Sequence, residues 1–272
     1  MTDRTIAFIG TGNMSYAIIS GMIKNGFDKS RIIATNRNSE KLAKVAKELA
    51  ISTDTDNLAA LAKADVIVLS VKPQMMADLC KTFVDSGIDI SKKLFISVAA
   101  GLTIERLQQM LAQKVTMIRC MPNTPCLLGK GVSGLYTQNA TDEERAFTQS
   151  VFENTGIVTW LEKEADINNI TAVTGSSPAY FFLFMEAIEQ KAKALGFSDE
   201  QAKQLVQQTA LGAAQMVASQ DISISTLRAN VTSKNGTTAA AIAQFEQSGL
   251  VQSVSDAMDK CIARAQEMEQ EL

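Results

Sequence analysis

Not one of the 272 residues is a histidine. That absence removes Ser-His-Asp and Cys-His hydrolysis, histidine acid catalysis and most zinc chemistry. The four cysteines, Cys80, Cys120, Cys126 and Cys261, show no C-x-x-C spacing, so they read as reduced, mostly buried small hydrophobes, and no metal site is expected. No apolar stretch reaches the roughly 18 residues of a spanning helix, and "MTDRTIAFIG" runs straight into a strand without a signal-peptide layout. The cytoplasm is the expected location, with no membrane partner. A net charge of −3 leaves no electrostatic footprint for nucleic acid, so any bound anion must be held by local groups. The chemistries left are those in which a cofactor performs the difficult step.

What is present falls into two grammars. Up to about residue 160, β-rich runs alternate with helical spacers: "TIAFIG" (5 to 10), "RIIATNR" (31 to 37), "DVIVLSV" (65 to 71), "LFISVAA" (94 to 100), "VTMIRCM" (115 to 121), "VSGLYT" (132 to 137) and "GIVTWL" (156 to 161). Such near-continuous Ile, Val and Leu content predicts a parallel sheet covered on both faces, an α/β Rossmann-like doubly wound domain over residues 1–162. From 163 to 272 the β-runs stop and helix follows helix, which predicts an all-α second domain. Ser198 with Gln201 forms a capping-box pattern, Pro178 suits a first helical position, and Gly196 and Gly249 suit helix ends. Along 202–217, Ala202, Leu205, Val206, Thr209, Gly212, Ala213, Met216 and Val217 recur at helical spacing. That small-residue face is either intradomain core or the seam of a helical dimer, and both readings stay open here.

The first strand ends in "FIGTGNMSYAII", with Gly10 and Gly12 at the turn and a helix opening near Asn13. The first glycine permits the tight turn, and the second lets a pyrophosphate approach the backbone and the positive end of the helix. Ser15 stands where a third Gly or Ala is usual and is small enough to keep the packing close. The second strand ends "ATNRNSEK", which offers Asn36, Arg37, Asn38 and Ser39 where a cofactor with a free ribose 2′-hydroxyl calls for Asp or Glu. A neutral and cationic tip suits a 2′-phosphate, so NADPH is preferred, with NADH a poorer alternative. Lys72, Ala100 with Gly101, and Met121 with Pro122 and Asn123 each follow a strand end, and together they are expected to line one crevice. Lys72 is thereby placed beside ribose or phosphate oxygens rather than in the reaction.

Several strings together resemble one family, the pyrroline-5-carboxylate reductases: "FIGTGNMSYAI", "SVKPQ", "SVAAGLTIERL", "RCMPNTP", "GVSGLY", "TAVTGSSPAYFF" and "NVTSKNGTTAAAI". The resemblance runs over essentially the whole chain, and "MPNTP", "GSSPAY" and the "NVTS…GTT" segment are its most specific parts. It implies reduction of the cyclic imino acid 1-pyrroline-5-carboxylate to L-proline by hydride from NADPH. Carried over position by position, it implies cofactor contacts at Gly10, Gly12, Asn13, Met14, Asn36, Arg37, Asn57, Val71, Lys72, Pro73 and Ala100, with Asn230 near the nicotinamide. Substrate contacts are implied at Ser233, Gly236, Thr237 and Thr238, with the Thr238 hydroxyl facing the imine nitrogen as the catalytic group. Self-association through the helical domain is also implied, as dimers and larger rings such as a decamer.

Two departures stand out. "TGSSP" replaces the usual Ser-Gly-Ser-Gly-Pro, and "SKNG" replaces Ser-Pro-Gly-Gly. Ser177 in place of glycine requires a negative φ, while Asn235 is better suited than most residues to a left-handed one. Lys234 adds a cation beside the expected carboxylate site. Two rival readings remain. A β-hydroxyacid dehydrogenase would share the architecture, but the "TGSSPAYFFLFMEA" stretch lacks the lysine that such chemistry uses as acid and base. A dinucleotide-sensing or scaffold protein would bind NADPH without turning over any imine.

Overall fold

The computed structural model describes residues 4–272. Its strands are β1 (Ile6–Ile9), β2 (Ile32–Thr35), β3 (Ser52–Asp54), β4 (Val66–Leu69), β5 (Leu94–Ser97), β6 (Thr116–Met121), β7 (Gly131–Thr137) and β8 (Gly156–Trp160). Its helices are α1 (Asn13–Lys24), α2 (Ser39–Leu49), α3 (Asn57–Lys63), α4 (Met76–Asp85), α5 (Ile104–Met110), α6 (Asp142–Glu153), α7 (Asp166–Ile170), α8 (Ser177–Ala194), α9 (Asp199–Ser219), α10 (Ile224–Asn230), α11 (Thr237–Gln247) and α12 (Leu250–Glu271). Among the described residues no helix is long and apolar enough to cross a membrane.

The strands form one sheet in the order β3-β2-β1-β4-β5-β6-β7-β8. Alternation along each strand divides the core between two faces. Ile6 and Phe8 of β1 pack with Ile18, Ile19 and Met22 of α1 and Phe147, Val151 and Phe152 of α6. Ala7 and Ile9 pack on the other face with Leu61 of α3, Met76 and Phe83 of α4 and Leu107 of α5. β1, β2, β4 and β5 are buried throughout, which is why they read as unbroken apolar runs.

Two features depart from the sequence reading. β3 was not expected, because "STD" carries no apolar signal; it is a three-residue edge strand held by parallel pairing to β2. β7 runs antiparallel to β6, unlike every other pair in the sheet. The segment between them contains only a short 3-10 turn, Thr124–Leu128, and a parallel return needs a crossover of about a dozen residues.

Two compact units emerge, Met1–Ser176 with Cys261–Leu272, and Ser177–Lys260. The expected division at 162 and 163 differs from this one for identifiable reasons. Ile167 and Ala172 are buried, and Arg119 of β6, itself buried, bonds through Nη1 to Glu164 Oε1 at 2.9 Å and to Glu269 Oε1 at 3.1 Å. Gly101, at φ +73°, lies so close to Met268 and Leu272 that a Cβ there would stand 3.0 Å from Met268 Cβ. The end of α12 is thus part of the unit that holds the sheet.

The second unit consists of α8 to α11 and the start of α12. The Ser198–Gln201 capping box is formed at the start of α9, and Gly196 and Gly249 adopt positive φ beyond helix ends. In the single chain, Ala202, Val206 and Leu227 are its only buried hydrophobics, whereas Phe181, Phe182 and Leu183 of α8 are more than 60% exposed. On α9, Leu205, Met216 and Val217 are also exposed, and a Cβ on Gly212 would meet nothing within 4 Å. The small-residue face is therefore not intradomain core along most of its length. An apolar surface of this extent marks an interaction site.

Candidate active site

The nucleotide side is built at the carboxyl ends of β1, β2, β4 and β5. Gly10 has φ +95°, and a Cβ there would stand 2.9 Å from the Ser70 carbonyl oxygen and 3.1 Å from Val71 Cγ1, so the turn admits only glycine. Three hydroxyls fasten it. Ser15 Oγ and Ser70 Oγ both donate to the Gly10 carbonyl, at 2.8 and 3.1 Å, and Thr11 Oγ1 donates to the Thr35 carbonyl at 2.8 Å. The residue in the third-glycine position thus ties the loop as well as being small.

Gly12 differs in kind. Its φ is −98°, and a Cβ there would meet nothing within 4 Å. As the N-cap of α1 it offers no side-chain bond, so the N–H groups of Asn13, Met14 and Ser15 face outward at the positive end of the helix. Open space in front of uncapped amides is what a pyrophosphate needs, and the donor set fits one.

Asn36 is turned inward. Its Nδ2 donates to the Thr11 carbonyl at 3.1 Å and its Oδ1 accepts from Asn38 N–H at 3.0 Å, so it braces the glycine loop against the start of α2. Asn57 is engaged similarly, its Oδ1 accepting from Thr35 Oγ1 at 2.6 Å. Arg37 is exposed, and its Nη2 lies 3.5 Å from Met75 Sδ, so the guanidinium spans the gap from the end of β2 toward the turn after β4. Lys72 is exposed and Pro73 opens the short 3-10 turn Pro73–Met75, while Val71 and Ala100 are half-buried at the ends of β4 and β5. The structure brings these expected cofactor residues together on one edge of the sheet. No acidic side chain takes the place of Asn36 or Arg37.

Asn123 is not an open lining residue. It is 7% exposed, and its Nδ2 donates to the Thr174 carbonyl at 3.0 Å while its Oδ1 accepts from Val132 N–H at 2.9 Å. The sequence placed it at the crevice and missed this bracing role. The signal available was an Asn between two prolines just beyond an apolar strand, where amides commonly bond backbone.

The expected substrate residues lie in the second unit. Asn230 is the last residue of α10 and is exposed. Ser233 to Gly236 form a turn closed by Gly236 N–H on the Ser233 carbonyl at 2.9 Å, with Asn235 at φ +61°. The "SKNG" departure is thereby accommodated, since Asn takes the left-handed position. Ser177 is absent from the residues of positive φ, which settles the other departure. Gly236 caps α11 without a side-chain bond, leaving the N–H groups of Thr237, Thr238 and Ala239 at an open positive helix end, and the Thr237 and Thr238 side chains are exposed there.

Two family models match parts of the chain. Residues 164–268 match a family model described as pyrroline-5-carboxylate reductase dimerisation, and residues 5–101 match one described as NADP oxidoreductase, coenzyme F420-dependent. The chain is 49% identical over 271 residues to the pyrroline-5-carboxylate reductase of Vibrio alginolyticus, covering 99% of both chains. Among solved structures, the pyrroline-5-carboxylate reductase of Coxiella burnetii superposes with a TM-score of 0.91 at 36% identity, covering 98% of this chain and 99% of that one. The pyrroline carboxylate reductase of Plasmodium falciparum, solved with NADP bound, gives 0.86 at 27% identity and 99% coverage of both. A glycine-turn crevice, an uncapped threonine helix end and likeness along the full length converge on one assignment: this chain belongs to the pyrroline-5-carboxylate reductase family.

Proposed function

We propose that this chain reduces 1-pyrroline-5-carboxylate to L-proline with NADPH, the last step of proline biosynthesis. The observation that carries the reading is the full-length likeness to the Vibrio reductase, because it spans the crevice and the threonine loop together. When bound, the nicotinamide supplies the hydride that reaches the imine carbon. The chain itself supplies binding, orientation and dehydration. Amides of Asn13 and Met14 with Gly10 and Gly12 hold the pyrophosphate, Arg37 holds the 2′-phosphate, and Lys72 and Pro73 with Val71 and Ala100 line the way to the nicotinamide end. Asn36 and Asn57 support that set from beneath.

In the second unit, the helix end at Gly236, Thr237 and Thr238, with Ser233 in its turn, takes the substrate carboxylate. The imine nitrogen acquires its proton from water, so no enzyme acid is required and a chain without histidine is adequate. Thr238 places its hydroxyl on that nitrogen and fixes the ring for attack. The helical region joins two copies into a dimer, in keeping with the uncovered apolar faces of α8 and α9. We read the protein as acting in the cytoplasm.

Thr238→Ala is expected to raise the barrier by about 1.5 to 3 kcal/mol, the worth of one hydrogen bond to a charged group, with NADPH affinity retained. Steady-state kinetics with both substrates varied test this, and an unchanged turnover number removes Thr238 from the mechanism. Arg37→Ala is expected to raise the KM for NADPH about tenfold or more through the loss of charge-assisted bonds, with the KM for NADH little changed. Equal effects on the two cofactors would place the 2′-phosphate elsewhere. The direct test of the reading is nicotinamide oxidation with purified protein and 1-pyrroline-5-carboxylate. Cofactor binding without oxidation would leave the sensing-protein alternative.

A further inference from the structure

Residues 171 to 175 form a π-turn, closed by Ser176 N–H on the Thr171 carbonyl at 2.8 Å. A wide turn of this kind is less favourable than α-helix and recurs at functional sites, so what holds it in place matters. Here the hold comes from the end of β6. Asn123 Nδ2 reaches the Thr174 carbonyl, and a Cβ on Gly175 would stand 2.9 Å from Met121 Cε, so Met121 packs directly on the turn. Asn123 is fixed from its other end by Val132 N–H at the start of β7. The amide therefore joins three segments: the end of β6, the start of β7 and the π-turn.

The location gives this joint its meaning. With Arg37 at the end of β2 holding the adenosine side, a dinucleotide crossing the β1/β4 switch point extends over the ends of β4, β5 and β6. Thr171 at the start of the π-turn and Ser176 just after it border, with Ala100 and one face of α12, a cavity of about 250 Å³ in this unit. Movement of the turn by a fraction of an ångström would shift Thr171 and Ser176 and with them this wall of the cavity.

We propose that Asn123 is a positioning residue for hydride transfer: by holding the Thr174 carbonyl it fixes the π-turn as the wall of the nicotinamide end of the crevice. The proposal rests on the NADPH-reductase reading and adds to it a residue that touches neither substrate nor cofactor.

The test uses Asn123→Asp, which keeps an acceptor for Val132 N–H but sets an oxygen against the Thr174 carbonyl, and Asn123→Ala, which removes both bonds. Gly175→Ala, which pushes the turn off Met121 without touching Asn123, serves if neither folds. Two ligands separate the ends of the site: 2′,5′-ADP reports the adenosine side alone, and the fluorescence of bound NADPH reports the nicotinamide. Affinity for 2′,5′-ADP is expected to stay within about twofold while the fluorescence change on NADPH binding is lost and turnover falls at least about tenfold, since a displacement of 1 Å can cost a hundredfold. A folded variant with wild-type fluorescence and turnover overturns the proposal. Parallel loss of 2′,5′-ADP binding also overturns it, because the role would then be general to the fold. If wild-type protein fails to oxidise NADPH with the imine, the substrate reading falls and the hydride-transfer role with it, while separation of the two binding readouts by the variants would still put the π-turn at the nicotinamide end.

Discussion

Arg119→Ala is expected to cost about 3 to 5 kcal/mol of folding stability, the range for removing one partner of a buried ion pair. The Arg119 side chain is 3% exposed and its two carboxylate partners are each 19% exposed. Each partner has a second obligation. Glu164 Oε1 also accepts from Ile104 N–H at 2.7 Å, and Glu269 Oε2 accepts from Asn168 Nδ2 at 3.1 Å. Removing the guanidinium leaves two neighbouring carboxylates without their shared cation and frees the end of α12 from the sheet. Arg119→Lys is expected to recover part of the loss, because both acids are held by the single nitrogen Nη1 and one ammonium can face both wherever its reach allows. Urea unfolding followed by circular dichroism measures both variants. A loss below about 1 kcal/mol for Arg119→Ala would mean the pair contributes no more than an exposed salt bridge.

The second large effect separates two glycines that look alike in the sequence. Gly12→Ala is expected to change folding stability by no more than about 1 kcal/mol, because its φ suits any residue and its Cβ enters open space. The same methyl stands where the pyrophosphate approaches the backbone, so NADPH affinity is expected to fall at least about tenfold. Gly10→Ala is expected to damage both properties. Its φ of +95° and the 2.9 Å approach to the Ser70 carbonyl make the cost about 1 to 3 kcal/mol or more, and the turn that aims the helix amides is lost with it. Thermal unfolding and NADPH titration, run in parallel on both variants, give the comparison. A Gly12→Ala protein that binds NADPH as the wild type does would show that the cofactor does not pass over that residue.

What the sequence determined by itself was the set of features that depend on neighbours in the chain. Apolar runs with helical spacers gave every described strand except β3, most clearly β1, β2, β4 and β5, because a strand buried on both faces has no polar position to hide the pattern. "GTGNM" specified a strand-to-helix turn, since the steric demand on Gly10 and the amides of the first helical turn are local. Asn235 in "SKNG" pointed to a left-handed residue, and its φ of +61° follows from the tolerance of a short polar side chain. The candidate helix end at Thr237 and Thr238 was legible for the same reason.

Only the tertiary structure decided the rest. β3 exists through pairing with β2, and three polar residues give no sign of that alone. The charge partners of Arg119 lie 45 and 150 residues away, so an arginine inside "VTMIRCM" reads as an interruption in an apolar run rather than as the anchor of the chain's last helix. Asn36 and Asn123 also brace backbone groups distant in sequence, a role that their position in the chain does not reveal. The face of α9 shows the same limit: its spacing fits a core and a dimer seam equally well, and only the exposure of Leu205, Met216 and Val217 in the folded chain separates the two. Long-range pairing and burial are properties of the assembled sheet and helices, and periodicity within one segment does not encode them.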